Sequence, residues 1–597
     1  MTSRASQGRA RRRSESHAAT ASGRPSMSSG RETVETFVLV FLVFLVFGVE
    51  AEGFVIPTGS MAPTLMGRHK EVTCPDCGHV YAVNADREAN PTSEPSNPEG
   101  RRVVLGTCDN CRFPARIDDD PNFQGDRIYV MKTPLSLPFV PWLGTAQLAR
   151  WDVAVFKLPE EPDVRYIKRM VGMPGEIVRI LRGDIWVGPL DGSTPFRRAL
   201  RPLRHQDAMQ MLVYDDTQRA RTLANDPRWA RWESRPGGAA GWSETRPGTF
   251  HASPKQVYGW SELRYRHVVA DPAQWAALAA GNALPHPPRP TLVTDFYAYN
   301  TDVSADGVSH ANASMKAWRQ PHWVGDLTLR FRLEVGAPKG GFRVELVKAG
   351  VPYRVEVNLE TGLATILRGD EPLGPATPTG LNAPGVYNVA VSNVDDRVTL
   401  RVDNRLPFGE GISYGEAVAE PSLASAPTAA DLEPVALASL GGDVSVRDLV
   451  LLRDIYYTIH PSHADYDSVE LSDPLPTDPV AFYDWLGDPS RFEAFGRLVP
   501  RDFALAPGRY LMLGDNSPWS RDGRAWDRHD QIDLDRPGSG GWDDSGRESW
   551  EVPEALLIGK AFCVYWPHLK PFGPTVRLGR DVRLPARPYL EKVRWIR

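Results

Sequence analysis

Cysteine is scarce, with 5 residues in 597, too few for a disulfide-built scaffold. Positive charge is not in excess either. The 69 Lys and Arg face 74 Asp and Glu, a net charge of −5, so the basic balance of a nucleic-acid binder is missing and no nucleic-acid partner is expected. None of the 13 histidines stands in a Gly-x-Ser-x-Gly elbow or another triad context, which removes the commonest base for a serine nucleophile. Wholesale disorder is excluded as well, because 42% hydrophobic and 24% charged residues is ordinary globular usage.

Glycine (51) and proline (53) are plentiful instead. Both punctuate turns, so the composition favours β-rich units over helical bundles. The length suggests about three to five such units. Residues 1–33 form a basic arm carrying Arg4, Arg9, Arg11, Arg12, Arg13, Arg24 and Arg31 among Ser, Ala and Gly, a composition that builds no core and reads as disordered. One apolar run follows, Val34 to Val49, broken only by Glu35 and Thr36. It is shorter than the roughly 20 residues that cross a bilayer, and extension to Phe54 reaches that length while taking in Glu50 and Glu52. Arginines before the run and acids after it place the N-terminus inside and the bulk outside. The residues alone leave two readings: a retained transmembrane anchor over 34–54, or a cleaved leader.

Immediately after the run stands Gly53-Phe54-Val55-Ile56-Pro57-Thr58-Gly59-Ser60-Met61-Ala62-Pro63-Thr64-Leu65. Two prolines and a glycine bracket Ser60, which puts it in a constrained turn. A serine hydroxyl is a poor nucleophile until a base takes its proton, and a lysine serves when burial lowers its pKa. Lys168 is the candidate, in Tyr166-Ile167-Lys168-Arg169-Met170-Val171-Gly172-Met173-Pro174-Gly175, downstream of the alternating strand Trp151 to Phe156. Lys132, Lys157 and Lys560 read as ordinary lysines, stem on a sheet and head in water. A third motif is Gly514-Asp515-Asn516, followed by Ser520, Asp522 and Arg524.

In this order the three motifs resemble the bacterial type I signal peptidases, S26-type leader peptidases with a Ser-Lys dyad. Gly125 to Val130 and Gly559 to Pro567 look like flanking strands of the same core, so the resemblance covers residues 55–70, 118–190 and 500–580. It implies that Ser60 attacks the scissile carbonyl and that neutral Lys168 is the general base. It implies an oxyanion hole from the Ser60 backbone N–H and the Thr58 hydroxyl. Ser520 would hydrogen-bond the Lys168 amine, Asp522 and Arg524 would form a supporting ion pair extended to Arg169, and Asp515 and Asn516 would shape the loop. Ile56, Pro57, Met61, Leu65, Tyr166 and Ile167 would line shallow apolar pockets for small side chains, as signal sequences ending small-x-small require. The implied chemistry uses no cofactor. The implied partners are exported preproteins and the lipid bilayer. The implied location is the inner (cytoplasmic) membrane, single-pass, with the N-terminus cytoplasmic and the catalytic domain on the outer face. The family keeps its anchor, which favours that reading of 34–54. Ser517 and Gly523 depart from the pattern, standing where the family often has Arg and Ser, while Ser60, Lys168 and Ser520 remain.

Between Ser60 and Gly125 come Cys74-Pro75-Asp76-Cys77 and Cys108-Asp109-Asn110-Cys111, with 30 residues between Cys77 and Cys108. Two such knuckles aim four thiolates at one ion, the pattern of a zinc ribbon, over residues 71–117. Two disulfides and a redox-active pair are the other readings. A filled four-thiolate site has no open position, so its zinc would be structural. His79 reads as a turn residue and Cys563 as an inert buried thiol.

Residues 191–289 show little periodicity and read as irregular. Over 290–460 apolar and polar residues alternate in Leu327 to Val335, Phe342 to Val347, Tyr353 to Asn358, Ala364 to Arg368, Tyr387 to Val391, Val398 to Val402 and Val444 to Leu452. Turn residues at short spacing between them predict an antiparallel β-sandwich, and the pattern resembles laminin-G or concanavalin-like jelly rolls. Trp318, Trp323 and Tyr353 suit either stacking on a sugar or core packing. Residues 461–499 read as a linking segment and 581–597 as a tail. The expected fold is therefore mainly β: an N-terminal transmembrane helix, a split signal-peptidase core, an inserted zinc-ribbon-like element and an inserted sandwich. The expected function is removal of signal peptides from exported proteins. The alternative is an inactive peptidase scaffold whose sandwich and ribbon serve as a surface glycan- or protein-binding module.

Overall fold

Alternation of apolar and polar residues sets most of this chain into antiparallel sheets. The computed structural model describes residues 34–38, 51–86, 88, 102–132, 148–235, 241–253, 259–304, 322–415, 426–461, 465, 479–492, 498, 500–526, 549–566, 569–578, 582–588 and 593–596. Two units are distinguished, Met1–Glu52 and Gly53–Arg597. In the first, residues 34–38 are helical and exposed, while 39–50, most of the expected anchor, lie outside the described residues, as does the basic arm. Among the described residues no helix is long and apolar enough to cross a membrane. The C-terminal end of the expected anchor is corrected: Ala51–Val55 is a strand at the edge of a sheet.

That sheet runs in the order Ala51–Val55, Arg127–Lys132, Leu557–Trp566, Val153–Lys157, Arg165–Gly172, Arg509–Leu513 and Glu551–Pro553, with Arg594–Trp595 added beside Leu557–Trp566. Segments far apart in sequence are thus direct neighbours. One apolar cluster holds Ile56, Met61, Leu65, Ile128, Val130, Val153 and Val155; another holds Ala154, Phe156, Met170, Met512 and Trp526. A four-stranded sheet, Arg197–Arg198, Asp184–Pro189, Glu176–Leu181 and Arg501–Ala504, adjoins it. The C-terminus is not a tail. Val582–Pro588 pairs with Leu569–Leu578, and Trp595 lies opposite Cys563. Cys563 itself is half-buried.

Among the described residues the sandwich consists of two eight-stranded sheets. In Leu327–Ala337 the apolar residues Leu329, Phe331, Leu333 and Val335 are buried while Arg332 and Glu334 are exposed, and they pack into one core with Phe342, Val344 and Leu346 of the facing sheet. Tyr353 belongs to this core and stacks on Tyr414 at 4.4 Å, so it is not an exposed sugar platform. Trp323 is half-buried beside Leu292 and Trp485, and Trp318 lies outside the described residues. The sandwich also draws on the stretch read as irregular. Met211–Asp215, Thr249–Ala252 and Trp242–Arg246 extend one sheet; Trp232–Arg235 and Ser261–Tyr265 extend the other. These strands are short and interrupted by Arg, Glu and Ser, so only their pairing with Asp443–Arg453 and Val435–Leu440 orders them. Within the linking segment, Pro479–Leu486 is a helix that buries Trp485 and Leu486.

Candidate active site

Ser60 lies in a single 3₁₀ turn, Gly59–Met61, closed by the Ala62 N–H donating to the Gly59 carbonyl at 3.1 Å. Lys168 sits in the strand Arg165–Gly172, opposite Ala154. Its Nζ is 2.7 Å from Ser60 Oγ and donates to the Ile167 carbonyl at 3.1 Å. Lys168 is 3% exposed. Loss of water lowers its pKa to about 8, and Arg524 pushes the same way, while Asp522 and Asp515 pull it up. An amine so placed is neutral in a useful fraction of molecules near neutral pH.

Both carboxylates are committed elsewhere. Arg169 holds Asp515 in a two-bond clasp, Nε to Oδ1 at 2.7 Å and Nη2 to Oδ2 at 2.6 Å, with both side chains fully buried. It also donates to Thr64 Oγ1 and to the Trp151 carbonyl. Arg524 clasps Asp522 in the same manner at 2.8 and 2.6 Å. These are two separate pairs, so Arg169 does not extend the Asp522–Arg524 pair. Ser517 accepts from Arg524 Nη1 at 2.6 Å and from the Thr458 N–H at 2.9 Å. Asp522 Oδ2 accepts from the Gly514 N–H at 2.9 Å. A Cβ at Gly514 would collide with Ser520 Oγ and the Ser60 carbonyl, so the close approach of these segments requires glycine there.

Ser520 does not take the expected place. Its hydroxyl is buried, and among the described residues it finds no hydrogen-bond partner; the Lys168 amine is turned to Ser60 and to the Ile167 carbonyl. Asn516 reaches the serine turn directly: its N–H donates to the Ser60 carbonyl at 3.1 Å and its Nδ2 to the Gly59 carbonyl at 3.1 Å. Thr58 is exposed in extended backbone just ahead of the turn, with no capping bond. The expected pocket residues are divided. Ile56, Met61 and Leu65 are core residues, 2%, 0% and 0% exposed, and Pro57 is exposed. Ile167 packs with the first three, whereas Tyr166 packs on the Phe156–Trp526 cluster, because neighbouring strand residues point to opposite faces. Two residues of the site were invisible to motif reading: Asn300, bonded reciprocally to Asn516, and Tyr299, whose ring lies against Gly59.

The four knuckle cysteines gather in one place. Cys74, Cys77, Cys108 and Cys111 bring their sulfurs within 4.8 Å of one another, with Cys74–Cys111 at 3.6 Å and Cys77–Cys108 at 3.7 Å. Tetrahedral thiolates about 2.3 Å from a metal stand roughly 3.8 Å apart, whereas bonded sulfurs stand about 2.05 Å apart. The set fits one metal, and the disulfide reading fails on distance. The knuckles match each other: Gly78 N–H donates to Cys74 O and Arg112 N–H to Cys108 O, both at 3.0 Å, and both residues have positive φ. His79 hydrogen-bonds Gln218 at 2.7 Å, outside the sulfur cluster.

Residues 114–219 match the family model described as signal peptidase, peptidase S26. That segment is similar to the peptidase S26 signal peptidase family. The matched segment contains Lys168; Ser60 and the 514–524 loop lie outside it, and the fold brings all three together. A signal peptidase I of Pseudomonas fluorescens is 29% identical over 143 residues, 24% of this chain and 32% of that protein. A signal peptidase I of Pseudomonas aeruginosa is 28% identical over 166 residues, 27% of this chain and 40% of that protein. The chain thus spans about a third to two fifths of the length of these relatives. Among solved structures, the carbohydrate binding module CBM66 from Bacillus subtilis aligns at a TM-score of 0.19 and 12% identity, covering 37% of this chain and 96% of that one. Mouse laminin alpha1 chain domains LG4-5 align at 0.16 and 10%, covering 22% and 37%. Likeness this weak carries no functional weight.

The Arg169–Asp515 clasp, fully buried on both sides, is a stability determinant of this core. Asp515→Ala strands a buried guanidinium and is expected to cost about 3–5 kcal/mol, read as a lowered urea midpoint; an unchanged midpoint contradicts the account.

Proposed function

We propose that this chain is a membrane-associated serine endopeptidase that removes signal peptides from exported preproteins with Ser60 and Lys168. The observation that carries the reading is the buried Lys168 amine 2.7 Å from Ser60 Oγ. Neutral Lys168 takes the Ser60 proton as Oγ bonds to the scissile carbonyl carbon, and the carbonyl electron pair moves onto its oxygen. The Ser60 N–H and the Thr58 hydroxyl receive that oxyanion. The intermediate collapses with cleavage of the C–N bond, and the lysine ammonium gives its proton to the leaving amine. Water, deprotonated by Lys168, then releases the acyl group and restores Ser60. Ile167 and the exposed Pro57 suit an apolar rim for the small side chains of a signal sequence. The apolar run up to Val49 would hold the site at the membrane surface, near a substrate whose own apolar segment is still in the bilayer. The four thiolates would hold one structural zinc, closed to substrate.

Cleavage of a preprotein ending small-x-small tests the dyad. Ser60→Ala and Lys168→Ala should each lose at least about a thousandfold in rate, and unchanged activity in either sinks the assignment. The base must be unprotonated, so the rate should rise with pH through about 8, the value to which burial brings Lys168; a limb near 6.5 would point to an imidazole instead. Metal analysis should return one zinc per chain, lost in Cys108→Ser, and a zinc-free chain with unreactive thiols would refute the ribbon.

A further inference from the structure

The sandwich insertion sends one segment, residues 296–304, between the cysteine knuckles and the serine turn. Its knuckle end is fastened at several points. Asp109, between Cys108 and Cys111, accepts from the Ala298 N–H through Oδ1 at 2.6 Å. Arg112 lies 3.8 Å over the Phe296 ring. Thr301 Oγ1 accepts from the Thr107 N–H at 2.9 Å and donates to the Ala298 carbonyl at 2.7 Å. Val303 pairs with Leu105. Ala298 is fully buried in the same cluster as Cys108 and Cys111.

The other end of the same short turn meets the site. Asn300 and Asn516 exchange two side-chain hydrogen bonds, both 2.8 Å, and Asn516 holds the Gly59 and Ser60 carbonyls. Tyr299 is fully buried with its ring against Gly59, where a Cβ would collide with it, and its hydroxyl donates to the Arg68 carbonyl at 3.3 Å. Asn300 and Asn516 are 6% and 2% exposed, so water does not compete for their bonds.

We propose that Tyr299 and Asn300 are positioning residues for Ser60, anchored through Asp109 to the cysteine knuckle, so that the knuckle sets the geometry of the serine turn. The inference rests on the Ser60–Lys168 reading. It gives the ribbon a mechanical task in the reaction, carried out by a strap that belongs to the sandwich insertion. At its site end the strap's contacts are with Gly59, Arg68 and Asn516 and not with Ser60 Oγ or Lys168 Nζ, so loosening it should slow the chemical step and leave substrate binding alone.

The full chain in detergent, cleaving a small-x-small preprotein, supplies the test. Asn300→Ala, and the isosteric Asn300→Asp, which loses the donated bond, should lower kcat about tenfold with KM within about twofold. Asp109→Ala should lower kcat in the same manner with its metal content unchanged. The Asn300→Ala/Asp109→Ala double variant should be no slower than the slower single, since both cut one connection. An unchanged kcat in both Asn300 variants, a raised KM with kcat intact, or independent losses that multiply would each overturn the strap. Loss of activity in Ser60→Ala is the companion control. Cleavage persisting there removes the dyad reading and the strap with it, whereas a dead Ser60→Ala beside fully active Asn300 variants removes the strap alone.

Discussion

An amine can accept a proton near neutral pH only if water and carboxylates are kept from stabilising its charged form, and the architecture around Lys168 follows from that constraint. Burial supplies the first half, lowering its pKa to about 8. The second half is harder, because Asp515 and Asp522 stand near enough to pull the value back up. Each is clasped by its own guanidinium, Asp515 by Arg169 and Asp522 by Arg524, with all four side chains shielded from solvent. A buried carboxylate already satisfied by two bonds from one guanidinium has less attraction to offer a second cation. The two clasps are therefore part of the electrostatics of the lysine as much as of the folding of the loop.

The loop Gly514 to Asn516 is the piece through which these demands meet. Gly514 lets Ser520 and the Ser60 carbonyl come within contact of the same backbone atom, Asp515 engages the lysine strand through Arg169, and Asn516 takes the two carbonyls of the serine turn. Apart from the local approach of Ser520 to Gly514, these contacts join residues separated by hundreds of positions. The site is assembled only when Arg509–Leu513 pairs beside Arg165–Gly172, which makes it a property of the completed sheet.

Motif reading reached what is written in short, chemically distinctive stretches. Ser60 between two prolines, Lys168 in an apolar strand and four cysteines in two knuckles each carry their chemistry in a few residues. The long strands of the sandwich were legible because Leu327 to Val335 alternates without fault. The strands over 211–265 were not, since their apolar residues are too few to declare a period and their order comes from partners some two hundred positions later. Ser520 was misplaced for another reason. A motif names a residue and not its rotamer, and here the lysine turns to its own strand's Ile167 carbonyl. Asn300 had no signal at all, because Ala298-Tyr299-Asn300-Thr301 acquires meaning only from what stands across from it.

A core divided among three separated segments survives its insertions because the entry and exit of each are stapled together. At the ribbon, the Met66 N–H donates to Asp126 Oδ2 and the Asp126 N–H to the Met66 carbonyl, both at 2.9 Å, while the Ile56 N–H donates to the Asp126 carbonyl at 2.9 Å. At the sandwich, Arg201 on the way in bonds Asp454 on the way out and Asp395 between them, all buried. Closing a long loop costs chain entropy that grows only slowly with length, so once the ends are pinned the inserted mass adds little further cost. Pinning also fixes orientation. The ribbon leaves and returns beside the serine turn, and the sandwich leaves and returns beside the second sheet, so the segment 296–304 has a short path between them. The strap joins the two insertions to the serine turn through bonds at both its ends, Asp109 to Ala298 and Asn300 to Asn516.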